Sequence, residues 1–404
     1  MTNKKLKVDN VPNLRFPEFE GEWESKKLGE IGEIVNGLTY SPNDIAENGV
    51  LVLRSSNVQN RSLAFEDNVY VRTDIYNPVQ ESDILICVRN GSKNLIGKNA
   101  LINKENEGIA FGAFMSIYRS VFNKFLFHWF DTREYKEVVH KNLGATINSI
   151  NGSDLKLFKV PFPSVEEQQK IASFLSLIDE RIQTQSKIIK ELNVLKSAIT
   201  KKIFLQEFRF KDGNGNEFPE WLIKKIGNVC SIIGGGTPET GKPEYWNGNI
   251  QWFTPTEIKS KFVSKSERKI SESGLKNSSA KILPKGSLLL TTRATIGEVA
   301  IALSECTTNQ GFQSLVVNKN CNNIFLYNWL QLNKFELEKR ANGSTFPEIS
   351  KSEIEKIEIS LPNMDEQTKI ANFLSSIDSK IEIETQLLQK LEEQKKFLLQ
   401  QMFV

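Results

Sequence analysis

One stretch of this chain occurs twice. The segment from Pro163 to Phe204 returns as Pro362 to Phe403, 199 residues later. The opening runs, PSVEEQQKIASFLSLIDERI and PNMDEQTKIANFLSSIDSKI, agree at twelve of twenty positions, where composition alone would give about one. A period near half of the 404 residues restricts the fold to two copies of one unit. Both copies read as long helices. Ser164 with Glu167, and Asn363 with Glu366, have the spacing of a capping box. Apolar residues then recur every three and four positions: Leu175, Ile178, Ile182, Ile189, Leu192, Ile199 and Ile203 in the first copy. The second has Leu374, Ile377, Ile381, Leu388, Leu391, Leu398 and Met402. That is a heptad seam. Even its breaks match, Gln185 with Glu384 and Lys196 with Lys395. About forty residues at 1.5 Å each make a rod of roughly 60 Å. With no Gly or Pro in either seam, two rods packed on each other are expected rather than helices lost in a globular core.

The repeat reaches beyond the helices. FPEFEGEWESKKLGEIGEIVNGLT from Phe16 is echoed by FPEWLIKKIGNVCSIIGGGT from Phe218. VLVLRSSNV pairs with IQWFTPTEI, SDILICVR with GSLLLTTR, IGKNA with IGEVA, and LGATINSINGSDL with NGSTFPEISKSEI. Apolar runs such as Ile84–Val88, Leu288–Thr292 and Leu315–Val317, bounded by polar or turn residues, read as strands. Residues 126–130 and 325–332 read as short aromatic helices. Lys211-Asp212-Gly213-Asn214-Gly215 is a turn and the natural boundary between halves. The expected fold class is α+β (mixed α/β), an internal pseudo-two-fold repeat. It divides into a β-rich domain at 1–162, a helix at 163–207, a β-rich domain at 208–361 and a helix at 362–404.

Reactive chemistry is sparse. The four cysteines, Cys87, Cys230, Cys306 and Cys321, form no C-x-x-C pair and suit buried thiols in a reducing cytoplasm. No apolar run approaches the roughly twenty residues of a membrane span, and no apolar signal core follows the first residues. Of two histidines, His128 lies inside FLFHWF and reads as packing, and His140 reads as a surface residue. Two isolated histidines supply no metal cluster. Gly236 to Lys242 mimics a phosphate-cradling loop, but Pro243 stands where Ser or Thr is needed. Glu257-Ile258-Lys259 has the spacing of a nuclease metal site without an acidic partner on a preceding strand. No Pro-Pro dipeptide occurs, so the amino-methyltransferase motif is missing. The expectation is a chain that is not an enzyme and holds no metal.

A net charge of +3 does not by itself argue for nucleic acid, but the charge is local. Residues 84–104 carry Arg89, Lys93, Lys98 and Lys104 and no acid, and 257–285 hold eight basic residues against three acidic ones. Loops that mix such charge with Asn, Ser and Thr suit phosphate contact and base-edge readout.

Two globular units, each followed by a helix opening P-x-x-x-E-Q-x-K-I-A-x-F-L, resemble the specificity subunit of type I restriction-modification systems. Gly235-Gly236-Thr237-Pro238, then Tyr245-Trp246-Asn247-Gly248 and Ile250-Gln251-Trp252, are similar to that family's second domain. The resemblance covers nearly the whole chain. It implies two target recognition domains, each reading one half of a split, asymmetric site in double-stranded DNA. It also implies two long helices that pack as an antiparallel coiled coil, set the gap and dock two methylation subunits, with restriction subunits joining them. S-adenosylmethionine, ATP and Mg²⁺ would sit on those partners and none on this chain. The alternatives are a coiled-coil scaffold for a protein assembly and a metal-dependent nuclease around Glu257 and Lys259. DNA-contacting candidates are loop positions that correspond between halves: Arg54, Ser55, Asn57, Arg89, Asn90, Lys93 and Thr146 in the first. In the second they are Thr254, Thr256, Lys259, Arg293, Thr295, Gln310 and Thr345.

Overall fold

The computed structural model describes residues 10–143, 148–293, 295–343 and 347–404. It resolves into two compact units whose limits fall inside the long helices rather than at the 211–215 turn. One is the chain up to Ser186 together with Gln386–Val404, and the other is Lys187–Thr385. Each unit therefore owns a globular part, the first half of one long helix and the second half of the other. The reason is burial: the apolar flank of a rod this long is covered partly by the domain before it and partly by the other rod.

In the first unit an antiparallel four-stranded sheet runs in the order Glu33–Asn36, Met115–Arg119, Ile84–Cys87, Asn99–Leu101. Both of its faces are covered. Ile84 and Ile86 join a core with Phe125, Leu126, Trp129 and Tyr135 of two short helices, Asn123–Trp129 and Arg133–Lys141. Leu85 and Cys87 point the other way, into a cluster with Leu53, Phe111 and Ile117. That two-sided burial explains an unbroken apolar run where a half-exposed strand would alternate. The second unit repeats the plan with five strands. Leu288 and Leu290 face Phe325, Leu326 and Leu330 of the helix Asn323–Leu332, and Leu289 faces Phe253 and Phe312. The chain passes so close to itself at Gly235 that a Cβ there would overlap the carbonyl oxygen of Asn309.

The long helices are Val165–Phe204 and Met364–Met402. Every apolar seam position named above is buried or half-buried. Ile171, Leu175 and Ile178 share a core with Leu398, Leu399 and Met402 in the first unit. Ile370 and Leu374 share one with Ile203 in the second. The matched breaks Gln185 and Glu384 are buried too.

The E-Q of the repeated helix start has a structural reading. Ser164 Oγ accepts from the Glu167 backbone N–H at 3.3 Å, and Asn363 Oδ1 from that of Glu366 at 2.9 Å. This is the forward half of the expected capping box. Instead of making the return bond, each carboxylate turns into the domain. Arg15 Nε and Nη2 each donate to Glu167 at 2.8 Å. Arg209 Nε and Nη2 donate to Glu366 at 3.1 and 2.8 Å, and Trp221 Nε1 adds a third bond at 3.0 Å. The next residue, Gln168 or Gln367, donates to the carbonyl of Pro163 or Pro362 at 2.8 Å. A two-stranded ribbon, Glu24–Lys27 with Lys159–Phe162 or Leu222–Lys225 with Glu358–Leu361, ties the start of each domain to its end.

Glu366 is wholly enclosed. Replacing it with Gln leaves Arg209 and Trp221 short of partners, so Glu366→Gln should cost about 3 kcal/mol in urea unfolding of its unit. Loss of the exposed Lys351–Glu355 pair should cost about 0.3–0.5 kcal/mol. Equal losses would show that the clasp is not specially buried.

Candidate nucleic-acid interface

Among the described residues, several candidate loops are joined by direct contacts in each unit, a set termed its rim. In the first, Arg54 leaves the strand Ile45–Leu53 and opens a single 3-10 turn, Ser55–Asn57. Asn90 Nδ2 donates to Ser55 Oγ at 2.9 Å, which joins that turn to the segment following Ile84–Cys87. In the second, Thr254 leaves Trp246–Phe253 and opens Pro255–Glu257. Thr237 Oγ1 bonds Gln310 Oε1, and Gly311 lies against Pro255. The same main-chain device thus builds both rims with different side chains.

Asn57 and Glu257 hold the corresponding position and do the same internal work. Asn57 Oδ1 accepts from the Arg54 N–H at 2.9 Å, and Glu257 Oε2 from the Thr254 N–H at 2.7 Å. Asn57 is fully buried, and its amide donates to Ala64 O at 3.0 Å and Asn68 Oδ1 at 3.2 Å. It is a brace of the loop, which corrects its placement among base-contacting candidates. Glu257 Oε1 also accepts from the Glu267 N–H at 2.7 Å. Both carboxylate oxygens are engaged by the backbone, against the nuclease alternative built on this residue. Among the described residues no three His, Cys, Asp or Glu side chains stand close enough together to hold a metal ion.

The remaining candidates differ in how free they are. Arg89, Lys93, Thr256, Lys259, Thr295 and Gln310 are exposed. Arg54 is half-buried and pairs with Asp67 at 2.9 Å, and Arg293 pairs with Glu348 at 2.9 Å. Ser55, Asn90 and Thr254 are half-buried in the bonds that shape the loops. Thr146 and Thr345 lie outside the described residues. Sequence reasoning missed two aromatic features. Phe114 is 56% exposed with the Arg89 guanidinium over its ring at 5.6 Å. Arg268 lies on Trp246 at 3.5 Å from the ring centre. The first was legible only as an aromatic beside Gly112 between two strands, and the second as a Trp in a basic neighbourhood.

Neither histidine lies among the described rim residues. His140 is exposed on the helix Arg133–Lys141, and His128 is buried away from the loops, its Nε2 3.3 Å from Ser176 Oγ. Burial, then the neighbouring Arg61 and Lys395 charges, push His128 down to about 3, against the pull of Asp131. All four cysteines are buried free thiols, and burial raises each one. No helix among the described residues is long and apolar enough to cross a membrane.

Comparison with known proteins agrees with this geometry. Residues 20–194 and 219–393 each match the family model described as type I restriction modification DNA specificity domain. The specificity subunit of the type I restriction enzyme MjaIX of Methanocaldococcus jannaschii is 39% identical over 190 residues, 45% of this chain and 44% of that protein. The putative MjaX specificity subunit of the same organism is 28% identical over 411 residues, 96% of this chain and 95% of that one. Among solved structures, the S subunit of a type I restriction-modification system from M. genitalium superimposes with a TM-score of 0.62 at 16% identity, covering 98% and 99% of the two chains. That likeness shows the fold.

The first unit should be acid-sensitive through His128. Its folded pKa lies below the ordinary 6.5, so the unfolded chain binds the extra proton. The resulting stability is complete above pH 6.5 and drains as pH falls toward 3, by up to about 1.4 kcal/mol per pH unit. The unfolding midpoint of the native protein should fall between pH 6.5 and 4, while that of His128→Phe stays flatter. Parallel curves would assign the acid step to other groups.

Proposed function

The chain belongs to the type I restriction-modification DNA specificity family, and from that premise we propose that it tells such a system where on double-stranded DNA to act. Each domain reads one half of a bipartite, asymmetric site through its rim. The helix pair sets the gap between the halves and docks two methylation subunits, to which restriction subunits are added. This chain recognises DNA and does no chemistry. S-adenosylmethionine, ATP and Mg²⁺ belong to the partners, and the assembly works in the cytoplasm.

The observation that carries this reading is the pair of rims, built on the same capped 3-10 turn and different in side chains. Arg54 and Ser55 stand in one where Thr254 and Pro255 stand in the other. A repeated scaffold with unlike loops suits an asymmetric target. Direct readout depends on which donors and acceptors reach the base edges, and phosphate contact only on charge. Two readers on a stiff spacer gain from each other's binding only when the spacing of the DNA halves matches the spacer.

Arg89 follows a buried strand that fixes its direction, and Lys93 sits on an exposed 3-10 turn. In methylation assays on single-base variants, Arg89→Ala should relax one base position at a cost of about 1–3 kcal/mol, whereas Lys93→Ala should weaken all sequences alike. Uniform loss from Arg89→Ala would remove it as a reader. Inserting four residues beside Lys196 should lengthen the gap in the methylated motif and leave the half-site bases unchanged. Altered bases at an unchanged gap would refute the spacer role.

A further inference from the structure

The matched lysines that interrupt the apolar seam face a matched aspartate on the other helix. In the first unit Lys395 Nζ lies 2.7 Å from Asp179 Oδ1 and 2.9 Å from Asp131 Oδ2 of the globular part. In the second, Lys196 Nζ lies 2.5 Å from Asp378 Oδ1. Each pair is closed by a cation from the adjacent domain. Lys261 Nζ reaches Asp378 Oδ2 at 2.7 Å and Ser375 Oγ at 3.4 Å, with Tyr327 beside it. On the other side Arg61 Nε stands 3.5 Å from Asp131. Ser176 and His128 hold the places of Ser375 and Tyr327, the imidazole Nδ1 lying 3.7 Å from Asp179 Oδ2. The side chains of Lys395, Lys261 and Asp131 are 11%, 14% and 18% exposed, and those of Asp378 and Lys196 24% and 27%.

Arg61 shows how firmly the domain is committed. It is the second residue of the two-residue turn between Val58–Gln59 and Ser62–Leu63, and Asn60 and Arg61 both have positive φ, 46° and 62°. Glycine or asparagine suits that conformation, and a long side chain persists there only when its surroundings over-determine it. They do: the guanidinium lies over Phe127 at 3.9 Å, donates to Asn99 Oδ1 at 2.8 Å and bonds the carbonyls of Phe127 and Phe130. The turn delivers a charge to the helix junction.

We propose that Asp179 with Lys395 and Asp378 with Lys196, closed by Arg61 and Lys261, are latches that fix the register of the helix pair and the seat of each recognition domain on it, and so set the number of base pairs between the half-sites. The proposal rests on the spacer reading above and names the residues that enforce it. A seam of Leu and Ile alone packs almost as well after a slip of one heptad. A lysine in the seam does not, because it leaves its carboxylate and arrives among apolar neighbours. One buried polar position suffices to specify register in coiled coils. Two latches at corresponding positions exclude a slip from both ends of the pair. These are positioning residues, and no contact with DNA is assigned to them.

The test separates register from stability. Lys196→Leu with Lys395→Leu restores a continuous apolar seam, and Asp378 keeps Lys261. With the methylation partner present, its methylome should show the same half-site bases at more than one gap. Discrimination against a gap wrong by one base pair should fall at least about tenfold. Because Asp179 loses its cation, thermal stability should fall too, so the gap is scored at a temperature where the variant remains folded. Lys196→Arg with Lys395→Arg should keep a single gap. Lys196→Gln with Lys395→Gln, scored in the same way, serves should the leucine variant fold poorly. Hydrogen exchange of the DNA-free protein at residues 58–63 and 259–263 should quicken in the leucine and glutamine variants. A single wild-type gap with unchanged exchange overturns the latch. Faster exchange at an unchanged gap overturns the spacer reading itself.

Discussion

The structure depends on two carboxylates buried from solvent. Glu167 and Glu366 open the first turns of the long helices and end inside the domains that precede them, clasped by Arg15 and Arg209. An isolated buried carboxylate would be prohibitively costly, so the pairing geometry has little freedom. Each clasp ties the segment before the first strand of its domain to the start of the long helix. Where the rod leaves its domain, and in which direction, is settled there. Everything proposed for the rims assumes that direction, because a base-reading side chain is useful only at a fixed distance from its counterpart.

Farther along each rod the charged pairs do a different job. The clasps anchor the helix starts in their domains, and the lysine–aspartate pairs are the proposed latches of register, which the apolar seam cannot choose by itself. Their side chains vary between the halves while the arrangement holds: His128 answers Tyr327, and Arg61 answers Lys261. One network holds Lys395 between two carboxylates and the other holds Asp378 between two lysines. Because these charged groups are largely buried, the networks tolerate substitution within a charge type better than neutralisation. The same economy holds at the rims, where Asn57 and Glu257 perform one backbone-capping task with different chemistry.

Much of this scaffold was legible because it is periodic. Seam positions, strands buried on both faces and the match between halves are all properties of spacing, and spacing survives without a partner in view. The capping box at Ser164 and Asn363 was half legible. A Glu three residues into a helix reads as reaching back to its own N-cap, but the arginine that claims it comes from more than 150 positions away. Asn57 misled for a related reason: asparagine is as good at closing a turn as at reading adenine, and only burial distinguishes the two uses. Arg61 gave no local signal at all, since its role exists only once a hairpin, a short helix and two rods meet.

Energetics then sorts the DNA candidates where sequence could only propose them. To touch DNA, Asn57 would have to leave a fully buried site and strand several partners. Arg54 and Arg293 need only exchange a partly exposed carboxylate for a phosphate or a base, and such surface pairs are worth about 0–1 kcal/mol. Among the described residues Arg89 gives up a contact with the half-exposed Phe114, Lys93 and Lys259 are exposed, and Gln310 is exposed but bonded to Thr237. A rim built this way presents side chains already desolvated on one flank and cheap to redirect on the other. New specificities can then arise by changing exposed residues while the braces beneath them stay fixed. That asymmetry between brace and exposed side chain would let one scaffold, used twice in a single chain, serve the two half-sites of the proposed function.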